Sequence, residues 1–357
     1  MTVELLAGAS AIARTAIASG CRFFAGYPML PFTDLLEAFD AELPAAGGVC
    51  INADTEIEAV NMTLGAAMTG ARAATGSCGQ GVALMQEAVA EAALNETPFV
   101  LFLMARGQQD YFQATRGGGW GDYRTITFAP KDVREAVEHT ELLFHLTDRY
   151  RAPGVLYGDY LISHTQMSVD LRTNDLGPLP EKDWALDAST GGTGHARQIW
   201  TWAVGRPTDP GVGPNAHWQR LARKFDDMAR AEVRHETHRV EDAEHLVVSF
   251  GTSSPFVDCV VDELRSEGHR IGSFRPITLW PFPGEALRRA SEGCRTVLVF
   301  ELNAGQMVDD VRIHAADRDV IRAIGGVSQD ESGMRQGELL TVAAIRDRIL
   351  WGIGATP

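Results

Sequence analysis

Close pairs of cysteines are missing. The five cysteines of this 357-residue chain, Cys21, Cys50, Cys78, Cys259 and Cys294, stand singly with no C-x-x-C spacing. A structural zinc site, a disulfide framework and an iron–sulfur cluster are therefore not expected on it, because such thiolate sets usually draw on close sequence pairs. Any electron carrier is expected on another chain. Long apolar runs are missing too: none reaches the roughly 18 residues that a membrane helix requires. Met1-Thr2-Val3-Glu4 opens without the basic stretch and apolar block of a secretion signal, so a cytoplasmic location is the expectation. Positive charge is in short supply, with 32 Lys+Arg against 47 Asp+Glu and a formal net charge of -15. That field repels phosphate backbones and anionic lipid surfaces, so neither nucleic acid nor a membrane is an expected partner. Several catalytic spellings are absent: the P-loop ending, G-x-G-x-x-G, the G-x-S-x-G elbow and the H-E-x-x-H helix.

What is present reads as two α/β units. A length of 357 residues with 45% hydrophobic and 22% charged residues suits two or three compact domains. From Gly8 to about Asp159, short apolar runs alternate with small-residue helical stretches, the pattern of a mostly parallel sheet covered by helices. The runs are Arg22–Gly26, Val49–Ala53, Arg72–Thr75, Phe99–Ala105 and Gly154–Tyr157. Between Thr55 and Thr69, the residues Ile57, Val60, Asn61, Leu64 and Met68 recur at helical spacing as an expected buried stripe, and Thr55 with Glu58 spells a capping box. A second unit starts near His245, with strands Leu246–Phe250, Ile271–Phe274 and Thr296–Phe300 separated by helices to about Glu267 and near Glu285–Ala290. The expected division is 1–164, an irregular linker 165–244, and 245–357. Inside the linker, His217 to Glu244 reads as one amphipathic helix around Trp218, Leu221, Phe225 and Met228, with His235 and His238 on its solvated face.

Chemistry is expected in the loop Arg106 to Arg124, RGQQDYFQATRGGGWGDYR. A loop that long inside a compact domain is usually functional or disordered. The backbone amides of Gly117, Gly118 and Gly119 suit an anion, Arg106, Arg116 and Arg124 suit a carboxylate or phosphate, and Tyr111, Phe112, Trp120 and Tyr123 supply apolar walls. The loop therefore reads as one wall of a site for a small acid, with a mobile surface lobe as the alternative. Glu56 stands in the first turn of the capped helix, where an acid also meets the helix dipole favourably. Gly76-Ser77-Cys78-Gly79-Gln80-Gly81 precedes a helix and could cradle phosphate, a weak signal without the P-loop ending.

The chain resembles the alpha subunit of the 2-oxoacid:ferredoxin oxidoreductases, nearest their branched-chain 2-oxoacid branch. The resemblance is carried by Gly20-Cys21-Arg22-Phe23-Phe24-Ala25-Gly26-Tyr27-Pro28, Thr55-Glu56-Ile57 with Val60-Asn61-Met62, Leu84-Met85-Gln86-Glu87, and Asp110 through Gly119. It continues in Pro180 through Leu186, Leu279-Trp280-Pro281-Phe282-Pro283 and Glu301-Leu302-Asn303-Ala304-Gly305-Gln306. The resemblance implies a thiamine diphosphate pyrimidine-binding domain followed by a domain like the C-terminal one of transketolase. It implies that Glu56 hydrogen-bonds the cofactor's aminopyrimidine, so that the ring can act as base toward the thiazolium carbon. Tyr27, Pro28, Ser77 and Cys78 are the further cofactor-binding positions, and Leu30, Arg106, Arg116 and Trp120 the substrate-binding ones. No metal ligand is expected on this chain. Thiamine diphosphate enzymes hold the diphosphate through Mg²⁺ with a Gly-Asp-Gly sequence, a hard cation wanting oxygen ligands. Here Gly158-Asp159-Tyr160 and Gly121-Asp122-Tyr123 lack the closing Gly. The implied solution is a beta subunit carrying the diphosphate domain, Mg²⁺ and an iron–sulfur cluster, with the cofactor shared at the interface and a gamma subunit and ferredoxin as further partners.

The chain departs from the family's pattern in three places. Leu30 stands where a Thr is usual, Trp120 where a His is usual, and Cys78-Gly79-Gln80-Gly81 in place of Ser-Gly-Pro-Gly. The reaction implied is oxidative decarboxylation of a 2-oxoacid to an acyl-coenzyme A, with electrons passed to ferredoxin. The alternatives are a non-redox decarboxylase or carboligase subunit on the same machinery, and a non-catalytic assembly subunit.

Overall fold

The computed structural model describes residues 3–193, 214–330, 333–336 and 341–355. The first part runs β1 (Val3–Ala7), α1 (Gly8–Ala18), β2 (Cys21–Gly26), α2 (Thr33–Glu42), β3 (Val49–Asn52), α3 (Glu56–Met68), β4 (Arg72–Ser77), α4 (Gly79–Leu94), β5 (Val100–Ala105), α5 (Tyr111–Thr115), β6 (Ile126–Phe128), α6 (Val133–Tyr150), β7 (Gly154–Asp159), α7 (Tyr160–His164) and β8 (Gln166–Asp170). Then follow α8 (Pro214–Ala231), β9 (His235–His238), β10 (His245–Val248), α9 (Ser254–Ser266), β11 (Ile271–Pro276), β12 (Thr278–Trp280), α10 (Gly284–Ala290), β13 (Thr296–Val299), α11 (Met307–His314), β14 (Ile321–Ala323), β15 (Val327–Asp330), β16 (Gly333–Gln336) and α12 (Val342–Ile353).

The larger sheet has the order β12, β6, β7, β5, β4, β2, β3 and is parallel except for β12, which pairs antiparallel with β6. β5 reads VLFLMA and every residue is buried, as a central strand covered on both faces requires. All five apolar runs form strands. β6 escapes notice because three residues are too few to show a pattern, and β12 is contributed by the second part of the chain. The smaller sheet has the order β14, β13, β10, β11, β9, with β9 antiparallel to β11. No helix among the described residues is long and apolar enough to cross a membrane.

The segment 165–244 contributes structure at both ends. β8 pairs antiparallel with β1. α8 buries Leu221, Phe225 and Met228, the expected apolar stripe, but it ends at Ala231 rather than running on to Glu244. The chain then leaves the helix because Arg234 donates its amide to Thr278 Oγ1 and residues 235–238 pair with β11. His235 and His238 therefore lie on an edge strand: His235 stacks on Phe274 at 5.4 Å and His238 Nε2 contacts Asp262 at 2.9 Å.

One hydrophobic cluster runs through both sheets, joining Phe24, Phe102 and Tyr111 to Phe250 and Phe274. Beside it lies a buried ionic clamp. Arg275 on β11 makes a forked contact with Glu135 on α6 (2.7 and 2.9 Å) and reaches Glu236 on β9 at 2.8 Å. His139, one turn along α6, is buried against Phe128 with ring centroids 4.8 Å apart. Burial first, then the Arg275 and Arg234 cations, push its imidazole from 6.5 down to about 3. The unfolded chain binds this proton near 6.5 and the folded chain only near 3, so stability falls as pH falls through that window. At about 1.4 kcal/mol per pH unit, roughly 2 kcal/mol is lost by pH 5. His139→Leu is expected to remove that share of the pH dependence, and unfolding curves at pH 7 and pH 5 check it.

Candidate active site

β2 lies between β3 and β4, so the chain leaves it in one direction and returns on its other side. In a parallel sheet the crevice beyond the carboxyl ends of strands at such a reversal is where ligands bind. Three loops meet there. Phe32 fits against Gly26 and Gly76, the last residue of β2 and the penultimate residue of β4, where a Cβ on Gly76 would lie 2.4 Å from the ring. The main-chain carbonyl of Leu30 accepts from Arg106 Nε at 3.0 Å and from Cys78 Sγ at 3.2 Å. The loops after β2, β4 and β5 are thereby tied through one oxygen, and Arg106 Nη1 adds a contact to Gln80 Oε1 at 3.4 Å. Leu30 as a residue is 67% exposed.

Glu56 opens α3 beside these loops. The helix starts there because Thr55 Oγ1 accepts the Glu58 amide at 3.2 Å, while Glu58 reaches back to the Asp54 amide at 3.1 Å, one residue earlier than a capping box specifies. The Glu56 side chain turns inward and the residue is only 5% exposed. Its Oε1 is buried without a hydrogen-bond partner, and so is Ser77 Oγ. Both stand around Gly81, where an added Cβ would lie 2.0 Å from Ser77 Oγ and 2.5 Å from Glu56 Oε1. Only glycine fits there. A buried polar atom left unpaired costs about 1–3 kcal/mol, so two side by side single out this corner of the molecule.

Cys78 is buried and feels Arg106, Asp110 and Glu56; burial dominates and pushes its thiol up to about 11. It is therefore a neutral wall rather than a thiolate nucleophile. Asp110, to which sequence reasoning assigned no role, accepts the Gly79 amide at 3.2 Å and Gln113 Nε2 at 3.0 Å. Burial raises its carboxyl, opposed by the Gly79 amide and Arg106. Its only sequence signal was its place at the head of the stretch Asp110 to Gly119. Tyr27 is half-buried and Pro28 exposed at the end of β2.

The rest of the long loop is put to other uses. Tyr123 Oη accepts the Gly118 and Gly119 amides at 3.0 and 3.2 Å and donates to Gln86 at 3.2 Å, so these amides hold a tyrosine rather than facing an anion. Tyr111 and Tyr123 are core residues. Arg116 pairs with Asp310 on α11 at 3.1 Å, where Tyr111 Oη also donates at 2.6 Å. Trp120 lies edge-on to Trp218 of α8 at 6.0 Å, and its amide meets Glu87 on α4, two turns beyond Gln80. The structure thus gathers Glu56, Ser77, Cys78, Leu30 and Arg106, and gives Arg116 and Trp120 partners elsewhere. Asp159 caps α7 through the Ile162 amide at 3.0 Å and is bound by Thr252.

Residues 14–185 match the thiamine diphosphate-binding family of the pyruvate flavodoxin/ferredoxin oxidoreductases, and residues 243–336 match core domain II of pyruvate:ferredoxin oxidoreductase. The ketoisovalerate oxidoreductase subunit VorB of Methanothermobacter marburgensis is 33% identical over 340 residues, covering 91% of this chain and 94% of that one. The chain belongs to the 2-oxoacid:ferredoxin oxidoreductase family. Within that family, the 2-oxoglutarate synthase subunit KorA of Methanothermobacter thermautotrophicus is also 33% identical, with 91% of this chain and 96% of that one covered. A solved 2-oxoglutarate:ferredoxin oxidoreductase from Magnetococcus marinus, with 2-oxoglutarate, coenzyme A and succinyl-CoA bound, shares the fold at a TM-score of 0.80 and 25% identity. That likeness covers 98% of this chain, which spans 65% of the length of the solved one. The resemblance to alpha-type subunits of this family, the α/β fold and the thiamine diphosphate-binding domain are thus established.

Proposed function

We propose that the chain is the subunit that grips the aminopyrimidine half of thiamine diphosphate through Glu56 and the carboxylate of a 2-oxoacid through Arg106, for oxidative decarboxylation. The carrying observation is the unpartnered, buried Glu56 Oε1 next to the equally unpartnered Ser77 Oγ. Glycine at position 81 lets these two polar atoms come together, since a Cβ there would lie 2.0 Å from Ser77 Oγ and 2.5 Å from Glu56 Oε1. When bound, the cofactor supplies the carbon that attacks the keto group and takes up the electrons left by loss of CO₂. Glu56 orients the ring and shares a proton with its nitrogen. Arg106, held through Nε by the Leu30 carbonyl and through Nη1 by Gln80, presents Nη2 to the acid. Cys78, Tyr27 and Pro28 wall the ring.

The diphosphate grip, Mg²⁺ and the iron–sulfur cluster that passes electrons to ferredoxin, with the acyl group going to coenzyme A, belong in this reading to a beta subunit. Ile57, expected in the buried stripe of α3, is instead exposed, as are Met62 on the same helix and Leu84 on α4, and this apolar surface suits such a subunit. The experiment is co-expression with the neighbouring reading frames, followed by analysis of what co-purifies. The complex is expected to hold thiamine diphosphate, magnesium and iron and the isolated chain none of them; a lone chain that saturably binds the cofactor and turns over overturns the reading.

A further inference from the structure

We propose that Asp110 is a positioning residue: with Gln113 it clamps Gly79, and through that turn it sets the place of Gly81, around which Glu56 and Ser77 meet. The inference rests on the reading of that corner as the seat of the aminopyrimidine ring. Gly79 is the first residue of α4 and is held at φ +50°. Glycine takes that conformation freely, but with no side chain it brings no anchor of its own. Cys78, the residue before it, makes no side-chain cap for the helix either. The anchor comes from the loop after β5. Asp110 Oδ2 accepts the Gly79 amide at 3.2 Å, Gln113 Nε2 donates to the Gly79 carbonyl at 3.3 Å, and the same Nε2 donates to Asp110 Oδ1 at 3.0 Å. One residue is thus held at both its amide and its carbonyl, by two side chains that also hold each other. The acid stands at the start of a 16-residue helix, where a negative charge is favourable.

Every residue of the turn has its tie. Cys78 Sγ reaches the Leu30 carbonyl, Gln80 Oε1 accepts from Arg106, and the Gly81 amide returns to the Cys78 carbonyl at 3.0 Å. The tie at Gly79 is the one that fixes the turn against the second part of the chain. Asp110 is 6% exposed, and the two residues after it are fastened there, Tyr111 Oη to Asp310 at 2.6 Å and the Phe112 amide to Gln306 at 2.9 Å. Gly81 has no slack against Ser77 Oγ and Glu56 Oε1. A binding constellation tolerates roughly 0.5 Å of displacement, so a turn released at Gly79 would carry the corner out of register. Asp110 acts through the turn and not by touching the ring.

The test uses the full complex, stripped of cofactor, with two readouts on folded samples: titration calorimetry with thiamine diphosphate and magnesium, and the rate at which iodoacetamide modifies the buried Cys78, followed by peptide mass spectrometry. Asp110→Ala is expected to raise the cofactor's dissociation constant and to speed Cys78 modification by about tenfold or more each. Asp110→Asn keeps an oxygen for the Gly79 amide and is expected to stay within about threefold of the unmodified complex on both readouts. Gln113→Ala, which cuts the tie to the carbonyl alone, is expected to fall between them and carries the test if Asp110→Ala does not fold. Cys78 modification at the unmodified rate in these alanine variants overturns the clamp. Faster modification with unchanged cofactor affinity overturns the positioning role. An Asp110→Asn complex as impaired as Asp110→Ala overturns it too, since charge rather than the hydrogen bond would then matter. An unmodified complex that binds no cofactor overturns the ring reading instead, and the Cys78 rate still judges the clamp.

Discussion

Replacing Glu56 with Gln is expected to lower 2-oxoacid turnover by the reconstituted complex by about 10²–10⁴-fold, the usual worth of a positioned proton-transfer group. Gln is nearly the same size, but it cannot share a proton with a ring nitrogen as a carboxyl does. The fold should survive, because the start of α3 rests on Thr55 and Glu58, with Glu56 taking no part in the cap. Two measurements separate the cases: steady-state turnover, and the melting temperature of the isolated chain. Unchanged turnover would remove Glu56 from the reaction. A melting temperature that falls with activity would make the effect structural.

Arg275→Ala is expected to destabilise the chain by about 3–5 kcal/mol, the cost of removing one partner from a buried ion pair. The guanidinium is almost wholly buried, with its fork on Glu135 and a third contact to Glu236. Without it, Glu135 keeps the Lys131 amide at 3.0 Å and a longer contact to Lys131 Nζ at 3.8 Å. Because the clamp joins α6 of the larger sheet's layer to two strands of the smaller sheet, its loss should loosen the two sheets together. Chemical denaturation of the isolated chain checks this. A double variant that also carries Glu135→Gln should lose much less than the two single losses combined, since both act on one contact.

The strands were legible wherever the sequence carried a buried run, as in VLFLMA of β5. They were illegible where the pattern was borrowed from elsewhere: β6 is three residues long, β9 follows a helix without a break in composition, and β12 crosses from one sheet to the other. At the site, Glu56 could be ranked only through the family resemblance, because an acid at a helix start has an ordinary electrostatic reason to be there. What no pattern could show is that its carboxyl turns inward and lacks a partner. The glycine and arginine richness of 106–124 misled in part for the same reason. Composition counts donors, but it does not reveal that Tyr123 holds the Gly118 and Gly119 amides or that Asp310 occupies Arg116. Asp110 and Gln80 gained their places only through contacts with residues distant in sequence.

The loop that carries Arg106 and Asp110 is anchored on the second sheet's side. Gln108 donates to the Phe250 carbonyl at 2.8 Å and accepts the Leu302 amide at 2.7 Å, Asn303 reaches the Gln108 carbonyl at 2.7 Å, and Gln306 holds Gln109 and the Phe112 amide. Neither half of the molecule therefore owns the position of the arginine. A chimera that joined residues 1–164 to a relative's later half would inherit the right side chain on a misplaced hinge, unless the stretch 301–310 travelled with it.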